Sequence, residues 1–121
     1  MSEINLKRAY DAASATDGYR IYVDRLWPQG LSHETFHYDL WAKDVAPDTE
    51  LRHWFHEDPA GRWNEYARRY SESLAGSEAL TELLDVVRRH PRVTLLYSSK
   101  NRDDNNAVVL RDVLLRAMSA K

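Results

Sequence analysis

The segment "DRLWPQG" (residues 24–30) places an acid, a base and a tryptophan directly after the apolar run "YRIYV". A carboxylate can act as a general base, and the planar fork of an arginine suits carboxylate or phosphate groups better than a lysine does. A tryptophan ring beside them can stack on a substrate. The alternative is a tight turn with a structural ion pair. The pattern favours a site, with Asp24 and Arg25 as candidate catalytic residues and Trp27 as a candidate substrate-binding residue.

A second polar segment, "SSKNRDDNN" (residues 98–106), follows the apolar run "VTLLY" and leads into the last predicted helix. A helix N-terminus presents free N–H groups and the positive end of its dipole, which attract anions. Ser98, Ser99 and Lys100 are therefore candidate substrate-binding residues for a phosphate or carboxylate, together with Asn105, which can cap the helix. Ordinary turn chemistry and capping explain the same residues equally well. The segment contains no glycine, so it is not a P-loop.

Two residues at or just after the ends of other predicted strands complete the set of candidate catalytic groups. Lys43 follows a short strand predicted over residues 38–42 and would add a cation. Tyr97 ends another strand and would act as an acid–base group if Lys100 or Arg25 lowered its pKa. The alternative for Tyr97 is a ring in the core with its hydroxyl on an aspartate.

The histidines do not indicate a metal site. His33 and His37 are four residues apart, and His53 and His56 are three apart, so either pair could share one helical face. A metal site also needs a third ligand and an oriented second shell. One pair lies in a segment of undefined structure and the other lies beside acidic residues typical of a surface. We therefore expect no metal and no cofactor.

Two classes of nucleophilic site are also disfavoured. No nucleophile-elbow pattern accompanies a Ser–His–acid triad. The chain contains no cysteine, which excludes disulfides, cysteine–zinc sites and thiol nucleophiles.

Buried apolar strands alternate with amphipathic helices, which is typical of an α/β fold. The strands are predicted over residues 3–9, 19–23, 38–42 and 93–97. The helices are predicted over residues 49–56, from Pro59 to Gly76, from Ser77 to Pro91, and from near Asn105 onwards. We expect one domain (residues 1–121), a small three-layer sandwich with a short, mainly parallel sheet flanked by helices. The first strand is the candidate for an antiparallel orientation. In open α/β sheets ligands sit beyond the carboxyl ends of the strands, where the two polar segments would meet.

The helix that begins at Pro59 carries aromatic side chains at helical spacing, namely Trp63, Tyr66 and Tyr70. These side chains are predicted to pack against the sheet or against the helix over residues 49–56, whose apolar residues are the nearest unpaired cluster.

Composition limits the partners. The formal net charge of the 121 residues is −2, so no overall basic field favours nucleic acid. No segment approaches the ~20 apolar residues of a membrane span, and the first residues lack the apolar stretch of a signal peptide. We expect a cytoplasmic protein whose partner is a small anionic ligand, with no membrane and no nucleic acid involved. The oligomeric state is open, a homodimer included.

Three blocks of the sequence resemble the YeaO-like proteins, domain-of-unknown-function family 488. They are "GYRIYVDRLWPQGLS", "LWAKDVAPDTELRHWFHEDPAGRW" and "VTLLYSSKNRDDNNAVVL", in the family's order and over nearly the whole chain. The resemblance implies a compact α/β domain but no established activity. The resemblance also implies that eight residues occupy positions typical of the family, namely Asp24, Arg25, Trp27, Pro28, Lys43, Trp54, Phe55 and Asn105.

The sequence departs from the family pattern at four positions. Members usually carry Arg at the position of Gln29, Asp at that of Asn101 and His at that of Asp104, and often His at that of Asn106. If those groups perform acid–base or metal chemistry in relatives, this chain lacks them.

Two functions follow as hypotheses. The first is an enzyme acting on a small anionic or nucleotide-like substrate at the carboxyl edge of the sheet. The second is a non-catalytic protein that binds a small ligand or a partner. A deep, water-poor pocket with a strongly perturbed aspartate would favour the enzyme.

Overall fold

A computed structural model describes residues 2–119 of the chain. Its elements, in chain order, are β1 (Glu3–Arg8), β2 (Tyr19–Tyr22), β3 (Leu40–Trp41), α1 (Thr49–Glu57), α2 (Pro59–Leu74), α3 (Glu78–Arg88), β4 (Arg92–Tyr97) and α4 (Asn106–Ser119). Short 3₁₀ turns occupy Ala15–Asp17 and Lys43–Val45. The element types and their order agree with the sequence prediction. None of the described helices is both long and apolar enough to cross a bilayer.

The four strands form one sheet in the order β1-β4-β2-β3, and every neighbouring pair is parallel. The expectation of an antiparallel first strand is therefore wrong. Residues 9–18 carry the chain from the end of β1 back to the start of β2, so both strands run in the same direction with β4 between them. All four strands consequently end at the same edge of the sheet.

The helices begin where the sequence places cap residues. Asp48, Asp58, Ser77 and Asn105 each accept a backbone N–H of the following helix, at 2.8 to 3.2 Å. A side-chain acceptor at this position satisfies one of the N–H groups that a helix leaves free, which stabilises it by about 1 kcal/mol.

One face of the sheet is covered by all four helices. Alternate residues of the two central strands point to this face, as the two-residue period of a strand requires. Their side chains and the buried apolar side chains of the helices form a single core. On the sheet this core includes Ile21, Val23, Val93, Leu95 and Tyr97.

The other face is covered by an irregular aromatic segment. Tyr22 and Leu96 point to this face and pack with Phe36, and partly buried residues surround them. Those partly buried residues are Trp27, Leu31, Tyr38 and Trp41. The predicted α/β class and parallel sheet are confirmed, and the third layer is built from this segment between β2 and β3.

Gly18 is required where the chain enters β2. Its φ is +66°, and a Cβ atom there would lie 2.2 Å from the carbonyl oxygen of Arg92. Any other residue would clash with backbone, so the turn predicted at this glycine is fixed by a close approach to β4.

A buried salt-bridge cluster, made of Lys7, Asp17 and Arg20, lies beside this turn. The Asp17 carboxylate is 5% exposed, accepts from Lys7 Nζ at 2.9 Å and pairs with the Arg20 guanidinium. Burial alone would raise the pKa of Asp17, but hydrogen bonds from Lys7, the Ser14 amide and Arg20 hold it below its ordinary value. Every charge in this cluster therefore has a partner.

Candidate functional site

The two polar segments that follow β2 and β4 are joined by the carboxylate of Asp24. Its Oδ2 accepts the Ser98 backbone N–H at 3.0 Å and also the Ser98 hydroxyl. Its Oδ1 accepts from Asn106 Nδ2 at 2.9 Å, and the same Asn106 nitrogen donates to the Val23 carbonyl at 3.1 Å. Asp24 thereby links the end of β2, the end of β4 and the start of α4.

A cavity of about 750 Å³ opens at this edge of the sheet. The ends of β1, β2 and β4 and the start of α4 supply mostly polar residues, and α2 and the loop after β2 supply mostly apolar ones. The α1 helix supplies both kinds. Residues that line it include Arg8, Asp24, Arg25, Trp27, Arg52, Phe55, His56, Tyr66, Ser98, Ser99, Lys100, Asp104, Asn105 and Asn106.

Four cations line this cavity, and none of them forms a salt bridge within residues 2–119. They are Arg8, Arg25, Arg52 and Lys100, called the cavity cations below. Nine ion pairs occur elsewhere in the described part of the chain, and each uses a different lysine or arginine. Within residues 2–119, most lysines and arginines outside the cavity are thus paired, whereas those around the cavity are not.

Two of the cavity cations are held in place by backbone carbonyls. Arg8 Nε donates to the Ser99 carbonyl at 2.8 Å and Arg8 Nη2 donates to the Ser98 carbonyl at 3.3 Å. Arg25 Nη2 donates to the Ala46 carbonyl at 3.2 Å. Carbonyls orient a guanidinium without neutralising it, so these side chains keep their full charge beside the cavity.

The cavity lining also contains a stacked aromatic pair. The Phe55 and Tyr66 rings lie 4.1 Å apart between centroids, with 18° between their planes. Burial and the charge of Asp24 raise the pKa of Tyr66, against a smaller opposing effect of Arg52. Tyr66 therefore stays protonated at neutral pH and adds no charge to the cavity.

His56 also lines the cavity, and it is neutral at neutral pH. Burial and the neighbouring Arg52 lower its pKa below the ordinary value, and the charge of Asp24 opposes them only in part. A neutral imidazole adds no charge to the cavity but can donate or accept one hydrogen bond.

Trp27 lines the cavity and also belongs to the aromatic segment on the other face of the sheet. Its Nε1 donates to the Leu31 carbonyl at 2.6 Å. Its ring packs against four other aromatic side chains, with centroids 4.1 to 5.8 Å away. The ring is therefore largely engaged in the aromatic layer under the sheet.

The structure brings most of the sequence-predicted site residues together. Those that line the cavity are Asp24, Arg25, Trp27, Ser98, Ser99, Lys100 and Asn105. Two predicted residues, Lys43 and Tyr97, do not line it.

Lys43 and Tyr97 each have another environment. The exposed Lys43 ammonium lies 4.0 Å from the centroid of the Trp41 ring, in a cation–π contact. Tyr97 is 2% exposed in the helix-side core, where burial raises its pKa rather than lowering it. Its ring position matches the alternative interpretation made from the sequence.

Several lining residues were not predicted from the sequence, above all Arg8, Arg52 and Tyr66. Arg8 is the last residue of β1, so a parallel first strand would have placed it at the same edge as Asp24. Arg52 and Tyr66 reach the cavity from helices, and nothing in the sequence indicates which helical turns approach the sheet edge. The described residues contain no group of three potential metal ligands.

Fold and cavity together define a small parallel α/β domain with a cation-lined cavity at the carboxyl edge of its sheet. Residues 3–121 match the family model described as "Inactive DUF488-N3 subclade". The chain is 43% identical over 112 residues to the uncharacterised protein YeaO of Escherichia coli (strain K12), which covers 92% of this chain and 96% of that protein.

Uncharacterised proteins of Mycobacterium tuberculosis (strain ATCC 25618 / H37Rv) and Mycobacterium bovis (strain ATCC BAA-935 / AF2122/97) are each 37% identical over 113 residues. In both cases the match covers 93% of this chain and 94% of the relative. No solved structure matches the chain significantly. The chain belongs to the YeaO-like DUF488 family, as the three sequence blocks indicated.

Proposed function

We propose that this protein binds a small anionic ligand in the cavity at the carboxyl edge of its sheet, and that it does so without transforming it. The observation that carries the proposal is the set of four unpaired cations around one cavity.

Charge balance supports this proposal. Two carboxylates, Asp24 and Asp104, also line the cavity, so the four cations leave it about two positive charges in excess. Like charges held around one concave surface repel each other more strongly than on an open surface, because water screens them less. An anion with two negative charges removes this repulsion and gains charged hydrogen bonds.

The binding role is favoured over catalysis by the engagement of Asp24. A general base needs a free lone pair directed at the substrate, and three of the roughly four acceptor sites of this carboxylate already accept hydrogen bonds from Ser98 and Asn106. Of the other three candidate catalytic groups, Lys43 and Tyr97 lie outside the cavity lining, and Arg25 is a cation suited to binding an anion. The description of the matched family as an inactive subclade is in line with this role.

Isothermal titration with inorganic phosphate at fixed ionic strength tests the binding. Arg52→Gln should weaken phosphate binding about 10-fold or more, since a hydrogen bond to a charged group contributes roughly 1.5–3 kcal/mol. The matched control is Arg88→Gln, because Arg88 is exposed, forms none of the nine ion pairs and does not line the cavity. Equal affinities of both variants and wild type would contradict the proposal.

The absence of chemistry is tested with an organic phosphate. Phenyl phosphate incubated with the protein should remain unchanged by ³¹P NMR while it binds. Release of inorganic phosphate that stops in Asp24→Asn would instead establish the enzyme hypothesis.

A further inference from the structure

We infer that the ligand of this cavity is a phosphate monoester whose apolar body, about the size of an aromatic ring, lies against Leu26 and Tyr10. This inference rests on the proposed function, since it names the chemical class of the anion. It comes from a second property of the cavity, the exposed apolar surface in its lining.

Leu26 and Tyr10 are the large hydrophobic residues that the described chain leaves exposed, at 60% and 39%. Both line the cavity. Single exposed apolar side chains are ordinary, but here the two line the same cavity as the cavity cations. The cavity lining therefore offers both unpaired cations and exposed apolar surface.

Both residues are held by hydrogen bonds, Tyr10 through its hydroxyl and Leu26 through its backbone carbonyl. The Tyr10 hydroxyl donates to the Gln29 carbonyl at 2.7 Å, and the Arg8 guanidinium lies 4.7 Å from the centre of the Tyr10 ring. The Leu26 carbonyl accepts from the buried Tyr22 hydroxyl at 2.7 Å. Surface fixed before binding costs less entropy when a ligand covers it.

The size of the cavity excludes a bare inorganic anion as a good fit. Its volume of about 750 Å³ lies inside the range of roughly 300–1,000 Å³ that is usual for small-molecule sites. An inorganic phosphate would occupy a small part of it and leave Leu26 and Tyr10 in water. An organic body would cover them, and burial of apolar surface contributes about 25 cal/mol per Å².

The charge of the cavity favours a phosphate monoester over a carboxylate. Near neutral pH a phosphate monoester carries about −1.5 to −2, which matches the excess of about two positive charges from the cavity cations. A carboxylate carries −1 and would leave half of this excess unbalanced.

Three probes separate these statements: phenyl phosphate, inorganic phosphate and benzoate. Phenyl phosphate should bind wild type at least 10-fold more tightly than either of the others. Equal affinity for phenyl phosphate and inorganic phosphate would overturn the inference that the ligand has an apolar body. Equal affinity for phenyl phosphate and benzoate would overturn the inference that its anionic group is a phosphate. Failure of all three probes to bind would instead contradict the proposed function itself.

Leu26→Ser locates the apolar contact. Because Leu26 is largely exposed, the variant should fold with unchanged stability. It should weaken phenyl phosphate several-fold and leave the affinity for inorganic phosphate unchanged, which makes the second probe its internal control. An equal loss for both probes, or no loss for either, would overturn the placement of the body at Leu26.

Discussion

The buried salt-bridge cluster and the cavity use the same kinds of side chain in opposite ways. In the cluster, one carboxylate, Asp17, holds two cations and is almost fully buried. Around the cavity, four cations form no salt bridge within residues 2–119, and two of them are held by backbone carbonyls. This difference indicates that charged side chains in salt bridges serve the fold, whereas charged side chains without a salt bridge are suited to binding a ligand.

The strongest effect is expected from breaking the buried cluster. Asp17→Ala leaves Lys7 and Arg20 without their carboxylate and should cost about 3–5 kcal/mol of unfolding free energy, measured by urea denaturation. The exposed pair of Glu72 with Arg68 supplies the control, and Glu72→Ala should cost less than about 0.5 kcal/mol. A loss below about 1 kcal/mol for Asp17→Ala would place the cluster among ordinary surface charges.

A smaller loss of unfolding free energy is expected at Asp24, which lines the cavity but also joins the strand ends by hydrogen bonds. Asp24→Ala removes the acceptor shared by Ser98 and Asn106 and should cost about 2–3 kcal/mol, because buried donors lose their partner. Urea denaturation measures the loss. If stability is unchanged, Asp24 does not hold the strand ends together, and its carboxylate becomes available for a functional role.

The pair of Asp11 with Arg102 gives a pH-dependent prediction of stability. Two hydrogen bonds of 2.8 and 3.0 Å join them, and the hydrogen bond from Arg102 lowers the pKa of Asp11 to about 2, against a smaller opposing effect of burial. A folded pKa below the unfolded value stabilises the protein above pH ~4, and this contribution is lost as the pH falls towards 2.

Solvent screening reduces the contribution of this ion pair to the unfolding free energy, since the Arg102 side chain is 57% exposed. Asp11→Asn should therefore cost about 1 kcal/mol at pH 7 and only a small fraction of that at pH 2, where about half of the folded Asp11 carboxyls are protonated. Thermal unfolding of both proteins across this pH range measures the difference. A gap between wild type and variant that does not narrow on acidification would show that the pair contributes no stability.

The smallest effect on stability is expected at the cavity cations. Arg25→Gln should change the unfolding free energy by less than about 0.5 kcal/mol, because Arg25 is exposed, forms no salt bridge within residues 2–119 and uses only one carbonyl. Urea denaturation in chloride measures it. A loss of several kcal/mol would mean that Arg25 is a scaffold residue like Asp17.

Local signals in the sequence predicted most of the fold. The caps at Asp48, Asp58 and Ser77 place the starts of three helices to within a residue, because a cap acts within one turn. The apolar run "VTLLY" indicated a central strand. The packing of Trp63 and Tyr66 on Phe55 also agrees with the prediction.

What the sequence did not reveal depends on contacts between distant parts of the chain. The direction of β1 is set by a return loop that has no strong pattern of its own, and Arg8 was missed for that reason. The aromatic layer lies in a segment without periodicity, so its cover of the sheet could not be read from spacing. The engagement of Asp24 depends on Asn106, which is 82 residues away.

The central claim is that the cavity cations exist for an anion rather than for the fold, and stability in two salts tests it most directly. Wild type, the double variant Arg25→Gln/Arg52→Gln and the control Arg88→Gln would be unfolded by heat in sodium chloride and in sodium phosphate of equal ionic strength. In chloride, all three proteins should be equally stable, or the double variant slightly more so, because repulsion between unpaired cations is relieved. In phosphate, wild type and control should be stabilised, by roughly 2.7 kcal/mol at one hundred times the Kd, and the double variant should not. Equal stabilisation of all three proteins by phosphate, or a double variant that is already unstable in chloride, would contradict the claim.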